Sequence, residues 1–133
     1  MFSKLVKKLR VLIADDFETV RRGVISILAS HPDIVECDEA SNGQEAVRLA
    51  RELKPDIVFM DFTMPVMDGL EASKQILQVF PDTPIVMFSM HKSRTLADAA
   101  RRVGLRGFVT KGESATNLLE AVDKVIRNEP FFT

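Results

Sequence analysis

Short apolar runs recur along the chain at Val11 to Ala14, Ile57 to Met60 and Ile85 to Phe88, with a glycine-led one at Gly107 to Thr110. An unbroken apolar run bounded by loop signals is the pattern of a strand buried on both faces. Between these runs the apolar positions change to helical spacing. Val20, Val24, Ile27 and Leu28 mark a first helix ending near Ser30, with Arg21, Arg22 and Ser26 between them. Ala46, Val47, Leu49, Ala50 and Leu53 mark a second helix that Pro55 closes, and Asn42 with Glu45 offers a capping-box pair at its start. Leu70, Ser73, Ile76, Leu77 and Phe80 share a face of a third helix, stopped by Pro81. Leu96 to Val103, rich in alanine, gives a fourth helix with Gly104 as its stop, and Leu118, Leu119, Val122, Val125 and Ile126 lie in a fifth from Ala115 to Arg127. Ile34 to Ala40 alternates instead, Val35 and Cys37 against Glu36 and Asp38, as an edge strand with one wet face does. Phe131 to Thr133 reads as a tail after Pro130.

Strand and helix thus alternate through five units with short connections, which predicts an α/β fold. The expected architecture is a doubly wound five-stranded parallel sheet of flavodoxin-like order 2-1-3-4-5, with helices on both faces. Residues 1–133 fit a single domain. A net charge of −1 gives no bulk attraction to nucleic acid. Cys37 is the single cysteine, so no intrachain disulfide forms; a reducing, cytoplasmic setting follows as the expectation. No apolar run approaches the roughly 18 residues of a membrane span. Lys4, Lys7, Lys8 and Arg10 read as a solvated basic leader into the first strand.

The chemistry is expected where strands end. The first strand stops at Asp15 and Asp16, the third at Asp61, the fourth at Ser89 and the fifth at Lys111. In open α/β sheets, ligands bind outside the carboxyl ends of the strands, at the point where the strand order reverses. Three carboxylates meeting there repel one another, so the site needs positive charge. Lys111 can supply it, and so can a hard divalent cation such as Mg²⁺, which takes one or two carboxylates and completes its shell with water and phosphate oxygens. Asp15 and Asp16 are the expected metal ligands, with Asp61 and the backbone carbonyl of Thr63 completing the protein's share. Asp61 is the candidate nucleophile toward phosphorus, giving an acyl phosphate. Ser89 and Lys111 would meet the spread negative charge of the transferring group.

Taken together, Asp15-Asp16, Met60-Asp61-Phe62-Thr63-Met64-Pro65-Val66-Met67-Asp68-Gly69, Ser89 and Lys111 resemble the receiver domain of bacterial two-component response regulators, over essentially the whole chain. That resemblance implies phosphoryl transfer from a histidine kinase to Asp61 with Mg²⁺, then slow hydrolysis. It also implies a switch pair, Ser89 and Phe108, that alters the surface of the fourth helix, fifth strand and fifth helix, with homodimerisation as one possible output. The segments Asp15 to Gly23, Gly104 to Lys111 and Pro130-Phe131-Phe132 are similar to receivers of the LuxR/NarL type, in which a helix-turn-helix domain contacts DNA. No such output domain lies in these 133 residues, so the sequence is expected to be either an excerpt of a longer regulator or a single-domain one. Phe17 departs from that subfamily, which often has His there.

Rival readings are weaker in specific ways. An aspartate-nucleophile phosphatase usually carries a second acid two residues after the nucleophile, where this chain has Thr63. A constitutive interaction module would be expected to have lost Asp61 or Lys111. A flavin carrier would need a hydroxyl-rich phosphate loop in place of acidic strand ends. Lys111 alone also reads as a structural ion-pair partner of Asp61. Met64, Met67, Met87 and Met90 read as packing, His31 as a helix-end residue, His91 as an exposed loop residue near Ser89, and Cys37 as a small hydrophobe.

Overall fold

A computed structural model describes residues 8–90, 92–112 and 115–133. His91, Lys4 and Lys7 lie outside these residues, as do the expectations attached to them. In chain order the elements are β1 (Leu9–Ala14), α1 (Glu18–Leu28), β2 (Ile34–Ala40), α2 (Gly43–Leu53), β3 (Ile57–Asp61), α3 (Gly69–Val79), β4 (Ile85–Ser89), α4 (Arg94–Val103), β5 (Gly107–Thr110), α5 (Ala115–Val125) and β6 (Phe131–Phe132). Every paired strand is parallel, in the order β2-β1-β3-β4-β5-β6. The expected order 2-1-3-4-5 is therefore present with a sixth strand added, and the five-strand count is corrected. Phe131 and Phe132 pair with Gly107 and Phe108, and the amides of Phe131 and Thr133 donate to the carbonyls of Arg106 and Phe108. The tail is an edge strand, and the Arg101 guanidinium lies 4.1 Å from the centroid of the Phe132 ring.

Alternation along the strands divides the core in two, because successive side chains point to opposite faces. Leu12, Val58, Met60, Met87 and Phe108 face Ala46, Ala50, Ile76 and Ala100, on the side of α2, α3 and α4. Val11, Ile13, Phe59, Phe88 and Val109 face Val24, Leu28, Leu118 and Val122, on the side of α1 and α5. Helices on both faces are what made the strands read as continuous apolar runs.

Local chemistry sets the helix ends. Asn42, Asp68 and Ser93 each accept a hydrogen bond from the amide three residues on, at 2.8, 2.8 and 3.1 Å. Glu45 reaches back to the amide of Ser41, one residue earlier than a strict capping box requires. Gly104, at φ 109°, closes α4 in the left-handed conformation that glycine adopts without a steric penalty.

Three sequence expectations change. A register shift between Leu9 and Arg10 leaves Val35 as an extra residue in β2, so it is 62% exposed, while Ile34 and Cys37 pack on the core. Arg10 belongs to β1 and pairs with Glu36 and Asp38, so it is no part of a leader. Met90 is exposed, unlike the buried Met64 and Met87. His31 does follow α1, but as a buried tie: its Nδ1 accepts from the Asp33 amide, so Nε2 donates to Asp123 of α5 at 2.8 Å. Among the described residues, no helix is long and apolar enough to cross a membrane.

Candidate functional site

Register brings the predicted residues to one edge. Ala14 of β1 lies opposite Met60 of β3, so the next residues, Asp15 and Asp61, emerge side by side. Ser89 lies opposite Thr110 at the ends of β4 and β5, and the Lys111 amide donates to the Ser89 carbonyl at 2.6 Å. Lys111 can therefore reach back over the sheet edge. Its Nζ is 2.6 Å from Asp15 Oδ2 and 3.1 Å from Asp61 Oδ1, with the Phe88 ring centroid 4.8 Å away. The side chains of Lys111, Asp15 and Asp61 are almost wholly buried. Contact with Asp15 is the shorter one, so Lys111 clamps both carboxylates rather than Asp61 alone.

Asp15, Asp16 and Asp61 each offer a carboxylate oxygen, and these oxygens all lie within 4.8 Å of one another. One oxygen of the cluster, Asp16 Oδ1, is buried with no hydrogen-bond partner. A buried carboxylate oxygen without a partner is costly unless a cation is its intended neighbour. An all-oxygen donor set of this charge suits a hard divalent ion such as Mg²⁺. The residues present fit that group.

Asp61 is the perturbed group. Burial, chiefly, and then the negative charge of Asp15 push its carboxyl up to about 6; the charge and hydrogen bond of Lys111 pull the other way, and Asp16 adds a further push upward. Thr63 stands two residues on, exposed, at the start of the β3–α3 loop. Phe108 is buried against the α4 side of the sheet, and Ser89 is partly exposed at the site's rim.

Two features of the site were not read from the sequence. Val66 has φ 73°, rare for a β-branched residue, inside a three-residue turn closed by the Met67 amide on the Pro65 carbonyl at 2.8 Å. No alternation or capping pattern signals such a turn, although its Pro65 marks a loop. Arg21, placed by periodicity on the solvated side of α1, is instead folded over the β1–α1 loop.

The loop also depends on Gly69. Its amide donates to the Phe62 carbonyl, and an added Cβ there would overlap the Asp61 carbonyl. Gly69→Ala is expected to destabilise the fold by about 1–3 kcal/mol, as overpacking does. It should also displace Asp61 and slow its reactions, and urea unfolding beside a labelling assay checks both.

An open parallel α/β sheet with an acidic metal-type cluster and a clamped lysine at its switch point defines a phosphoacceptor class of domain. The chain belongs to the response regulator receiver domain family, whose model matches residues 11–123. Among curated proteins it is 36% identical over 124 residues to the response regulator protein VraR of Staphylococcus saprophyticus, covering 93% of this chain and 59% of that protein. It is 37% identical over 122 residues to the transcriptional regulatory protein LiaR of Bacillus subtilis, covering 92% and 58%. The chain thus spans less than three-fifths of the length of these relatives. Among solved structures, a LuxR-family two-component response regulator from Aurantimonas superposes with a TM-score of 0.90 at 33% identity, over 94% of this chain and 89% of that one. The receiver domain of the putative response regulator NarL from Mycobacterium tuberculosis gives 0.85 at 27%, over 92% and 99%. The chain's relatives are regulators of the LuxR/NarL type.

Proposed function

We propose that this domain is a phosphorylation-activated signalling switch that accepts a phosphoryl group on Asp61 from the phosphohistidine of a histidine kinase. The observation that carries this reading is the Lys111 clamp on Asp15 and Asp61, beside the unpartnered oxygen of Asp16. Asp15, Asp16, Asp61 and the carbonyl of Thr63 would hold Mg²⁺, which when bound neutralises negative charge on phosphoryl oxygens. Asp61, ionised above about pH 6, presents one oxygen to phosphorus. As its P–O bond forms, the donor's P–N bond breaks and the electron pair leaves with the imidazole nitrogen. Lys111 and the Ser89 hydroxyl then hold the phosphoryl oxygens, and a shift of Ser89 with Phe108 alters the surface of α4, β5 and α5. A cavity of about 380 Å³ between α1 and α5, lined by Val24, Ile27, Phe88 and Leu118, reaches Lys111. Its apolar wall supports docking of a protein donor beside the carboxylates. Homodimerisation on phosphorylation, DNA contact through a separate output domain, and a cytoplasmic setting complete the reading.

Intact-mass spectrometry after incubation with Mg²⁺ and acetyl phosphate tests it. One added phosphoryl group is expected, absent without Mg²⁺ and absent in Asp61→Ala. Rapid donor consumption with no adduct would instead favour a phosphatase, and an adduct retained by Asp61→Ala would overturn the assignment of the acceptor.

A further inference from the structure

We infer that Arg21 is a positioning residue for the metal-binding carboxylates, an inference that rests on the metal reading of the site. Arg21 sits in α1 with its side chain 13% exposed. Nη1 donates to the backbone carbonyl of Asp15 at 2.7 Å, and Nε donates to Glu39 Oε1 of β2 at 2.8 Å. That carbonyl belongs to the peptide joining Asp15 to Asp16, so holding it restrains both carboxylates at once. The restraint is completed on Asp15 itself: its amide donates to the Ala40 carbonyl at 3.0 Å, and its Oδ1 accepts from the Phe17 amide at 2.9 Å. Asp16 has less to hold it, since its Oδ1 lies buried without a partner. The direction in which Asp16 points is therefore set through its backbone, and Arg21 is the side chain that grips that backbone.

Charge explains why an arginine serves here without spoiling a cation site. A free guanidinium beside three aspartates would compete with a divalent ion for them. Glu39 takes up the Arg21 charge, and it lies 3.7 Å from Arg22 Nε as well. The planar fork can address a carbonyl and a carboxylate together, which a lysine ammonium on its single stem does less well. Arg21 thus ties β1, α1 and β2 together at the metal edge while its own charge is spent on Glu39.

Mn²⁺, followed by its electron paramagnetic resonance, probes the site directly without any phosphoryl donor. Arg21→Met should weaken Mn²⁺ binding by about tenfold or more, the usual size of effect for groups that orient metal ligands. Arg21→Lys, able to keep one of the two bonds, should recover part of that loss. Glu39→Gln keeps the bond to the Asp15 carbonyl and should lose less than Arg21→Met; these two variants carry the test if Arg21→Met does not fold. A lowered metal-free unfolding temperature with unchanged Mn²⁺ affinity in Arg21→Met would reduce the residue to a structural tie and overturn the inference. Absence of Mn²⁺ binding by the unaltered protein would overturn the metal reading as well, which keeps the two failures distinct.

Discussion

Asp61→Asn is expected to lose all phosphoryl labelling and yet yield a more stable protein. Asp61 is 5% exposed and shares its site with Asp15 and Asp16. Its carboxyl is raised from the ordinary 3.8 to about 6, first by burial and then by Asp15. A carboxylate whose pKa is raised by folding binds its proton more tightly in the folded state than in the unfolded one. Stability therefore falls as pH rises from about 4 through about 6, and the full penalty is present above that. At about 1.4 kcal/mol per unit, a shift of roughly two units sets an upper limit near 3 kcal/mol. The amide carries no charge, so the variant escapes this penalty, while Lys111 keeps its 2.6 Å contact with Asp15. Urea unfolding without divalent ions should show Asp61→Asn ahead by about 1–3 kcal/mol above pH 7 and level with the unaltered protein near pH 4. Millimolar Mg²⁺ should narrow the gap from the other side, by binding more tightly the protein that still has all three carboxylates. Equal stabilities at neutral pH would mean that Lys111 already cancels the repulsion and that the acceptor carries no stored penalty.

A residue that destabilises the fold it belongs to is one the sequence reveals only by its position. The strand ends were legible because strands buried on both faces stand out as apolar runs, so a polar residue ending such a run, as at Met60-Asp61 or Phe88-Ser89, marks the sheet edge. Convergence of Asp15, Asp16, Asp61, Ser89 and Lys111 on one edge then follows from parallel order. What escaped were features fixed by a neighbour in space. Phe131-Phe132 is too short to announce a strand and becomes one only because β5 has an open edge beside it. Val35 obeys the alternation in the sequence and violates it in the fold, because the slip that exposes it is a matter of pairing with β1. Arg21 sits at a solvent position by helical period, yet the loop ahead of α1 folds back under it. Likewise, the greater proximity of Lys111 to Asp15 than to Asp61 is a sub-ångström matter that no spacing encodes.

Lys111→Met should be the most damaging single change at the site, and the damage should depend on pH and on metal. Lys111 places its ammonium between Asp15, whose side chain is fully buried, and Asp61, 7% exposed. Removing one partner of a buried ion pair strands the other charge, at a cost of about 3–5 kcal/mol. Here two carboxylates lose their counter-charge together, and among the described residues the Phe17 amide is what still donates to the Asp15 carboxylate. Methionine preserves most of the volume and the packing on Phe88, which confines the change to charge. Lys111 holds the Asp61 carboxyl down, so without it that carboxyl takes up its proton at a higher pH than about 6. The part of the loss that runs through Asp61 should be full at high pH and shrink as pH falls toward about 6. Mg²⁺ should restore part of it, since a divalent ion supplies to the carboxylates the charge that Lys111 no longer does. Urea unfolding at neutral and acidic pH, with and without Mg²⁺, separates these contributions. Acetyl phosphate labelling of the Mg²⁺-stabilised variant then isolates the chemical role: a folded protein that binds Mg²⁺ but no longer takes a phosphoryl group assigns Lys111 to the transfer, whereas labelling at the original rate would leave it a structural clamp.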